Sequence, residues 1–145
     1  MDLLKALLIF VAGLAALSLV MLYLVVSSCT SEVDVATVYS PDNKVMAIIE
    51  ETNGGATTSF GYNIYLKSNS AFGFRRRAAA LYGAIRSECA YGVDVVWRDP
   101  NSVEIRYLSA KESPDHSESL LVGTRLIGIE LTSGVANPSA PCGGM

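Results

Sequence analysis

Phe60-Gly61-Tyr62-Asn63-Ile64-Tyr65-Leu66-Lys67 alternates along the chain, and its period of two decides how the rest is read. Successive side chains of a strand point to opposite faces. Phe60, Tyr62, Ile64 and Leu66 therefore share one face, with Gly61, Asn63, Tyr65 and Lys67 on the other. An amphipathic helix would instead repeat its apolar residues at three and four. Residues 60–67 are thus expected to form a half-buried strand. Just upstream, residues 45–52 (VMAIIEET) make a strongly apolar second strand. Between the two lies Asn53-Gly54-Gly55, a composition that supplies positive φ in hairpin connections. A β-hairpin follows, with its loop centred on residues 53–57.

Moving outward, Ser40-Pro41-Asp42-Asn43 has proline where a β-turn needs φ fixed. Val33, Val35 and Val38 before it suit an edge strand. Residues 68–77 form a polar, Gly-containing loop that ends in Arg75-Arg76-Arg77; the alanines of residues 78–87 suit a helix while Leu81, Gly83 and Ile85 suit a strand, and the neighbouring strands favour the strand. Val93, Val95 and Trp97 alternate, as do Val103, Ile105 and Tyr107, and Asp99-Pro100-Asn101 joins them as a second hairpin. A charged loop over 111–119 precedes a last strand over 124–131, and a Gly/Pro-rich tail closes the chain. The expected fold is all-β, about six antiparallel strands in a small sandwich or open barrel, preceded by one N-terminal hydrophobic helix. The expected divisions are 1–28, a signal peptide or transmembrane anchor; 29–43, a tether; 44–132, a β-rich exported domain; and 133–145, a flexible tail.

The N-terminal segment has a different physics. Residues 6–26 contain no charge, and as a helix these twenty-one residues would rise ~31 Å, the thickness of a bilayer's hydrocarbon core. A helix packed on a soluble core would carry a polar face, and this run has none. Lys5 precedes the run while Glu32 and Asp34 follow it, so the positive-inside bias favours a cytoplasmic N-terminus and an exported remainder. Val26-Ser27-Ser28-Cys29 resembles a bacterial lipobox, which would make Cys29 a lipidation site. The apolar run exceeds the usual signal core of about 7–15 residues, which favours an uncleaved anchor instead. Secretion after ordinary cleavage is the third route.

The mean hydropathy of +0.34 mostly reflects that segment. Without Lys5 and Asp2 the remainder has ten basic and thirteen acidic residues. Such a balance argues against nucleic acid, which demands a basic face to displace counterions. If Cys29 carries lipid, Cys89 and Cys142 are left as a possible disulfide in an oxidising compartment; otherwise they are two separate thiols.

Catalytic and metal motifs are wanting. His116 is the only histidine and sits in the charged loop beside Asp115. No Gly-x-Ser-x-Gly elbow, phosphate loop or CxxC pair occurs. Glu50, Glu51, Glu88 and Asp94 are the carboxylates that could pair in a hydrolase. The most unusual local feature is the loop with Asn53, Gly54, Gly55, Thr57 and Thr58. Its N–H groups and hydroxyls either receive a partner's polar group or satisfy the loop's own backbone.

Ser40-Pro41-Asp42-Asn43-Lys44, an apolar strand and Asn53-Gly54-Gly55-Ala56-Thr57-Thr58-Ser59-Phe60 together resemble a group of uncharacterised bacterial envelope proteins. These have an SPD-G-K … GATT-F pattern and often lipoprotein signals. The resemblance covers roughly residues 40–108 and extends to the strand around Trp97. Many members have Cys where this chain has Gly54, so no role for that Cys transfers. The resemblance implies a place in the bacterial envelope and implies no activity. The expectation is a non-enzymatic, membrane-tethered binding or accessory module without cofactor, facing periplasm or exterior. The lipid bilayer is its first partner, and an envelope protein a further one. A small carboxylate hydrolase and a single-span subunit of a membrane complex are the alternatives.

Overall fold

The structure, a computed structural model, describes residues 3–27, 31–55, 58–84 and 91–134. It divides into two units, Met1–Ser31 and Glu32–Met145.

The first unit is a single helix, α1 (Leu3–Ser27). Its one mid-helix hydroxyl, on Ser18, donates to the Leu14 carbonyl one turn back at 2.9 Å, which satisfies a polar group on an otherwise apolar surface. Side chains 7–23 are exposed throughout. Among the described residues no helix is long and apolar enough to cross a membrane.

The second unit, called the β-unit below, has nine strands among the described residues. They are β1 (Ser31–Tyr39), β2 (Val45–Asn53), β3 (Gly61–Ser68), β4 (Arg76–Tyr82), β5 (Val93–Asp99), β6 (Ser102–Tyr107), β7 (Asp115–His116), β8 (Ser119–Val122) and β9 (Arg125–Ser133). One sheet runs β1-β2-β3-β4-β7 and the other β5-β6-β9-β8. The hairpin expected from residues 45–67 is β2–β3, with Ile49 opposite Ile64 and Ala47 opposite Leu66. Tyr62, Ile64 and Leu66 are all buried, as the alternation requires. Between β3 and β4 a bulge gives β4 one extra residue, so that Ala78 and Ala79 are both buried. The inner faces of the two sheets contribute to one hydrophobic cluster. Ile49, Ile64 and Leu66 come from the first, Val95, Val103 and Ile127 from the second.

Three expectations are corrected. Among the described residues strands number nine rather than about six, because the charged loop over 111–119 holds β7 and leads into β8. Pairing is not wholly antiparallel, because β6 and β9 run parallel, Val103 beside Ile129 and Ile105 beside Leu131. The tether expected over 29–43 is largely β1, the edge strand that Val33, Val35 and Val38 suggested. The strand expected over 78–87 begins at Arg76, and residues 85–87 lie outside the described ones, as does the tail beyond Gly134.

Two of the polar ties between the sheets run through β1 and the turn after it. The β1–β2 turn closes with Asn43 N–H donating to the Ser40 carbonyl at 2.8 Å, Pro41 in the φ-restricted position. Ser40 is buried; its hydroxyl accepts from Val45 N–H at 3.0 Å and donates to Asp42 at 2.8 Å. Asp42 thereby aims its other oxygen at Arg125 of β9, 2.7 Å away, while Arg125 also donates to the Pro100 carbonyl at 3.0 Å. The second tie is Trp97 of β5, whose Nε1–H donates to the Val38 carbonyl of β1 at 3.1 Å.

Arg125 beside it, above all, holds the Asp42 carboxyl far below the usual carboxylate range. A carboxylate whose pKa is depressed by folding stabilises the fold above its unfolded value of ~3.9, and that contribution vanishes as pH falls through the folded value. Asp42→Asn is therefore expected to lower the thermal midpoint in detergent at neutral pH. The gap to wild type should close progressively below about pH 4. A gap that stays constant into acid would show that the ion pair is not what the substitution removes.

Candidate interaction site

The loop after β2 is organised by its own polar groups. Asn53 Oδ1 accepts from Gly55 N–H at 2.9 Å, an Asx turn. Thr58 donates to the Gly55 carbonyl through both its N–H and its hydroxyl, each at 3.1 Å. Gly55 has φ +95°, in the left-handed region that favours glycine. Ala56 and Thr57 lie outside the described residues. Of the residues proposed for interaction, Asn53, Gly54, Gly55 and Thr58 are thus brought together, with Asn53 and Thr58 each spending hydrogen bonds on the loop itself.

The loop is braced from β4 and the segment after β6. Gly83 N–H donates to the Phe60 carbonyl at 2.8 Å, and Lys111 N–H to the Tyr82 carbonyl at 3.0 Å. Lys111 Nζ reaches the Ser59 hydroxyl. Beside this brace lies a concavity of about 260 Å³, lined by Thr52, Asn63, Tyr82, Glu112, Ser113 and Asp115 among others. It offers carboxylates, hydroxyls and an amide at one sheet end, suited to a polar or cationic group of a partner. Glu112, Ser113 and Asp115 carried no signal beyond "charged loop", because backbone bonding of that segment to β4 is what places them.

Among the described residues the hydrolase carboxylates Glu50, Glu51 and Asp94 do not gather. Glu50 and Glu51 are neighbours on β2 and point to opposite faces. Glu50 accepts from Asn63 at 3.1 Å on the outer face, and Glu51 accepts from the Tyr62 hydroxyl at 2.6 Å. Asp94 belongs to β5 in the other sheet, opposite Arg106, and Glu88 lies outside the described residues. The three cysteines, Cys29, Cys89 and Cys142, lie outside them too. His116 is exposed on β7, opposite Ala79. Among the described residues no three metal-ligating side chains converge.

Two polar clusters escaped sequence reasoning. On the outer face of the first sheet, Arg75 forms a two-pronged pair with Asp34, approaches Glu50 at 3.7 Å and lies over the Tyr65 ring. The Asp34 contact raises the Arg75 pKa further above its ordinary value. Partial burial, and then the neighbouring Glu50 charge, raise that of Tyr65. On the second sheet, Glu104 is buried at 4 % exposure. Arg106 donates to it at 2.8 and 2.7 Å, Thr132 at 2.8 Å, and Arg98 also closes on it. The Arg106 hydrogen bond leads in lowering its pKa. Held by Arg98, Arg106 and Thr132, the Glu104 carboxylate acts as a clamp across β5, β6 and β9.

Comparison with known proteins returns no matching family model, no matching curated protein and no matching solved structure.

Proposed function

We propose that the chain is a membrane-tethered, non-enzymatic module of the bacterial cell envelope. Its β-unit stands on the non-cytoplasmic side and serves as a binding or accessory element for an envelope partner. The observation that carries this reading is the uncharged run over residues 6–26, lying within the 25 residues of α1, with Lys5 before it and Glu32 and Asp34 after it. As a sequence, those twenty-one uncharged residues would rise ~31 Å as a helix, close to the ~30 Å of a hydrocarbon core. The two sheets, joined through one core, support reading the β-unit as a small sandwich. The braced loop at Asn53, Gly54, Gly55 and Thr58, with its polar concavity, is the surface best suited to a partner. The divergence of Glu50, Glu51 and Asp94 supports a non-enzymatic reading over a carboxylate hydrolase.

The test is fractionation of cells producing the full chain, followed by intact mass and protease accessibility. Recovery with the membranes, and digestion of the β-unit by protease added to spheroplasts, is the expected result. Loss of residues 1–28 with a lipid mass on Cys29 identifies a lipoprotein; full-length mass identifies an anchor. Recovery as a soluble cytosolic protein overturns the proposal.

A further inference from the structure

The β3–β4 loop displays two phenylalanines to solvent. Phe72 is 89 % and Phe74 84 % exposed, the highest values among the large hydrophobics described. A soluble surface seldom keeps adjacent aromatic rings so bare, and such a display marks a contact surface. Local hydrogen bonds hold the loop. Asn69 N–H donates to the Lys44 carbonyl at 2.8 Å, and Asn69 Nδ2–H to the Asn43 carbonyl at 2.9 Å, pinning its base to the β1–β2 turn. Gly73 stands between the rings and donates its N–H to the Ser70 carbonyl at 3.1 Å. A Cβ at Gly73 would collide with the Ser68 carbonyl oxygen, a backbone atom that cannot easily yield, so glycine suits this turn.

Charge is segregated around the same loop. No Asp or Glu occurs between Glu51 and Glu88, a stretch holding Lys67, Arg75, Arg76, Arg77 and Arg86, although the whole chain is acidic. Arg75 is engaged by Asp34, and Arg77 lies 3.4 Å from Asp115. Lys67 and Arg76 have no ion pair among the described residues. Arg76 instead donates to the Leu121 carbonyl at 2.7 Å, which places its guanidinium beside a cleft of about 310 Å³ with Phe72, Phe74 and half-exposed Leu121. Apolar rings with uncompensated cations behind them match a lipid interface, where acyl chains receive the rings and phosphates the cations.

We propose that this loop, residues 69–75 with Lys67 and Arg76, docks onto the surface of an anionic phospholipid bilayer. The inference uses residues of the β-unit alone, so it stands or falls separately from the fate of the N-terminus. The test places the full chain in neutral phosphatidylcholine vesicles and adds sucrose-loaded, protein-free vesicles with or without phosphatidylglycerol. Wild type is expected to co-sediment with the anionic vesicles and not with the neutral ones. The double variant F72S/F74S should weaken this about tenfold, from loss of buried apolar area. K67Q and R76Q should each weaken it about fivefold and reduce its salt dependence. Circular dichroism confirms that each variant is folded. Equal sedimentation with both vesicle types, or undiminished binding by F72S/F74S and K67Q alike, overturns the proposal. So does a wild-type oligomer that F72S/F74S disperses without any vesicle binding, which would make the loop a protein contact.

Discussion

Trp97→Ala is expected to lower the unfolding free energy of the β-unit by about 3 kcal/mol, which denaturant titration of the full chain in detergent would measure. Trp97 is half-buried on β5 and packs against the shared cluster, while its indole N–H reaches across to β1 at the edge of the other sheet. Truncation removes both the ring's apolar burial and the partner of the Val38 carbonyl. Trp97→Phe retains most of the ring and removes only the donor, so about 1 kcal/mol should be lost. The difference between the two variants separates packing from the hydrogen bond. Should alanine cost no more than phenylalanine, the ring would not be joining the sheets.

Ile64→Ala carries the other large effect, about 3–4 kcal/mol, with Ile64→Val near 1 kcal/mol. Ile64 is fully buried at the centre of the first sheet, opposite Ile49 on one side and Ala79 on the other. Neighbouring strands hold the backbone, so a truncated side chain leaves a cavity that the sheet cannot collapse. Domains of this size are stable by only about 5–15 kcal/mol, so the alanine variant should be visibly marginal. Lys67→Ala, on the opposite face of the same strand, should change stability by less than about 0.5 kcal/mol. Because a one-residue slip would exchange these faces, a reversed pattern would refute the β2–β3 register itself.

Alternation made the two hairpins legible because β2–β3 and β5–β6 are joined by short turns of recognisable chemistry, and each strand's faces follow from its own residues. Ser40-Pro41-Asp42-Asn43 was legible as a turn for the same local reason. What escaped depends on partners far along the chain. Asp115 and His116 form a strand only because β4 offers them an edge, and two residues carry no period of their own. The parallel pairing of β6 with β9 leaves no local mark, since neither strand's sequence names its neighbour. In the candidate site, Asn53-Gly54-Gly55 advertised the turn. The concavity beside it required Glu112 and Asp115 to arrive on a segment whose position Lys111 N–H and Ser117 N–H set by bonding to β4. Glu104 was unreadable as a buried charge, because its burial comes from Arg98, Arg106 and Thr132 folding over it.

The tie between Asp42 and Arg125 spans 83 residues, and that between Trp97 and Val38 spans 59. A ribosome delivers the chain from its N-terminus, so β1 to β4 exist for some time with Ile49, Ile64 and Leu66 uncovered on one side. Contacts this distant in sequence slow the search for the native topology, and a half-built sheet with a bare apolar face is prone to stick to its neighbours. Refolding is therefore expected to be slow and concentration-sensitive, with completion waiting on β9, whose Arg125 closes the turn formed first.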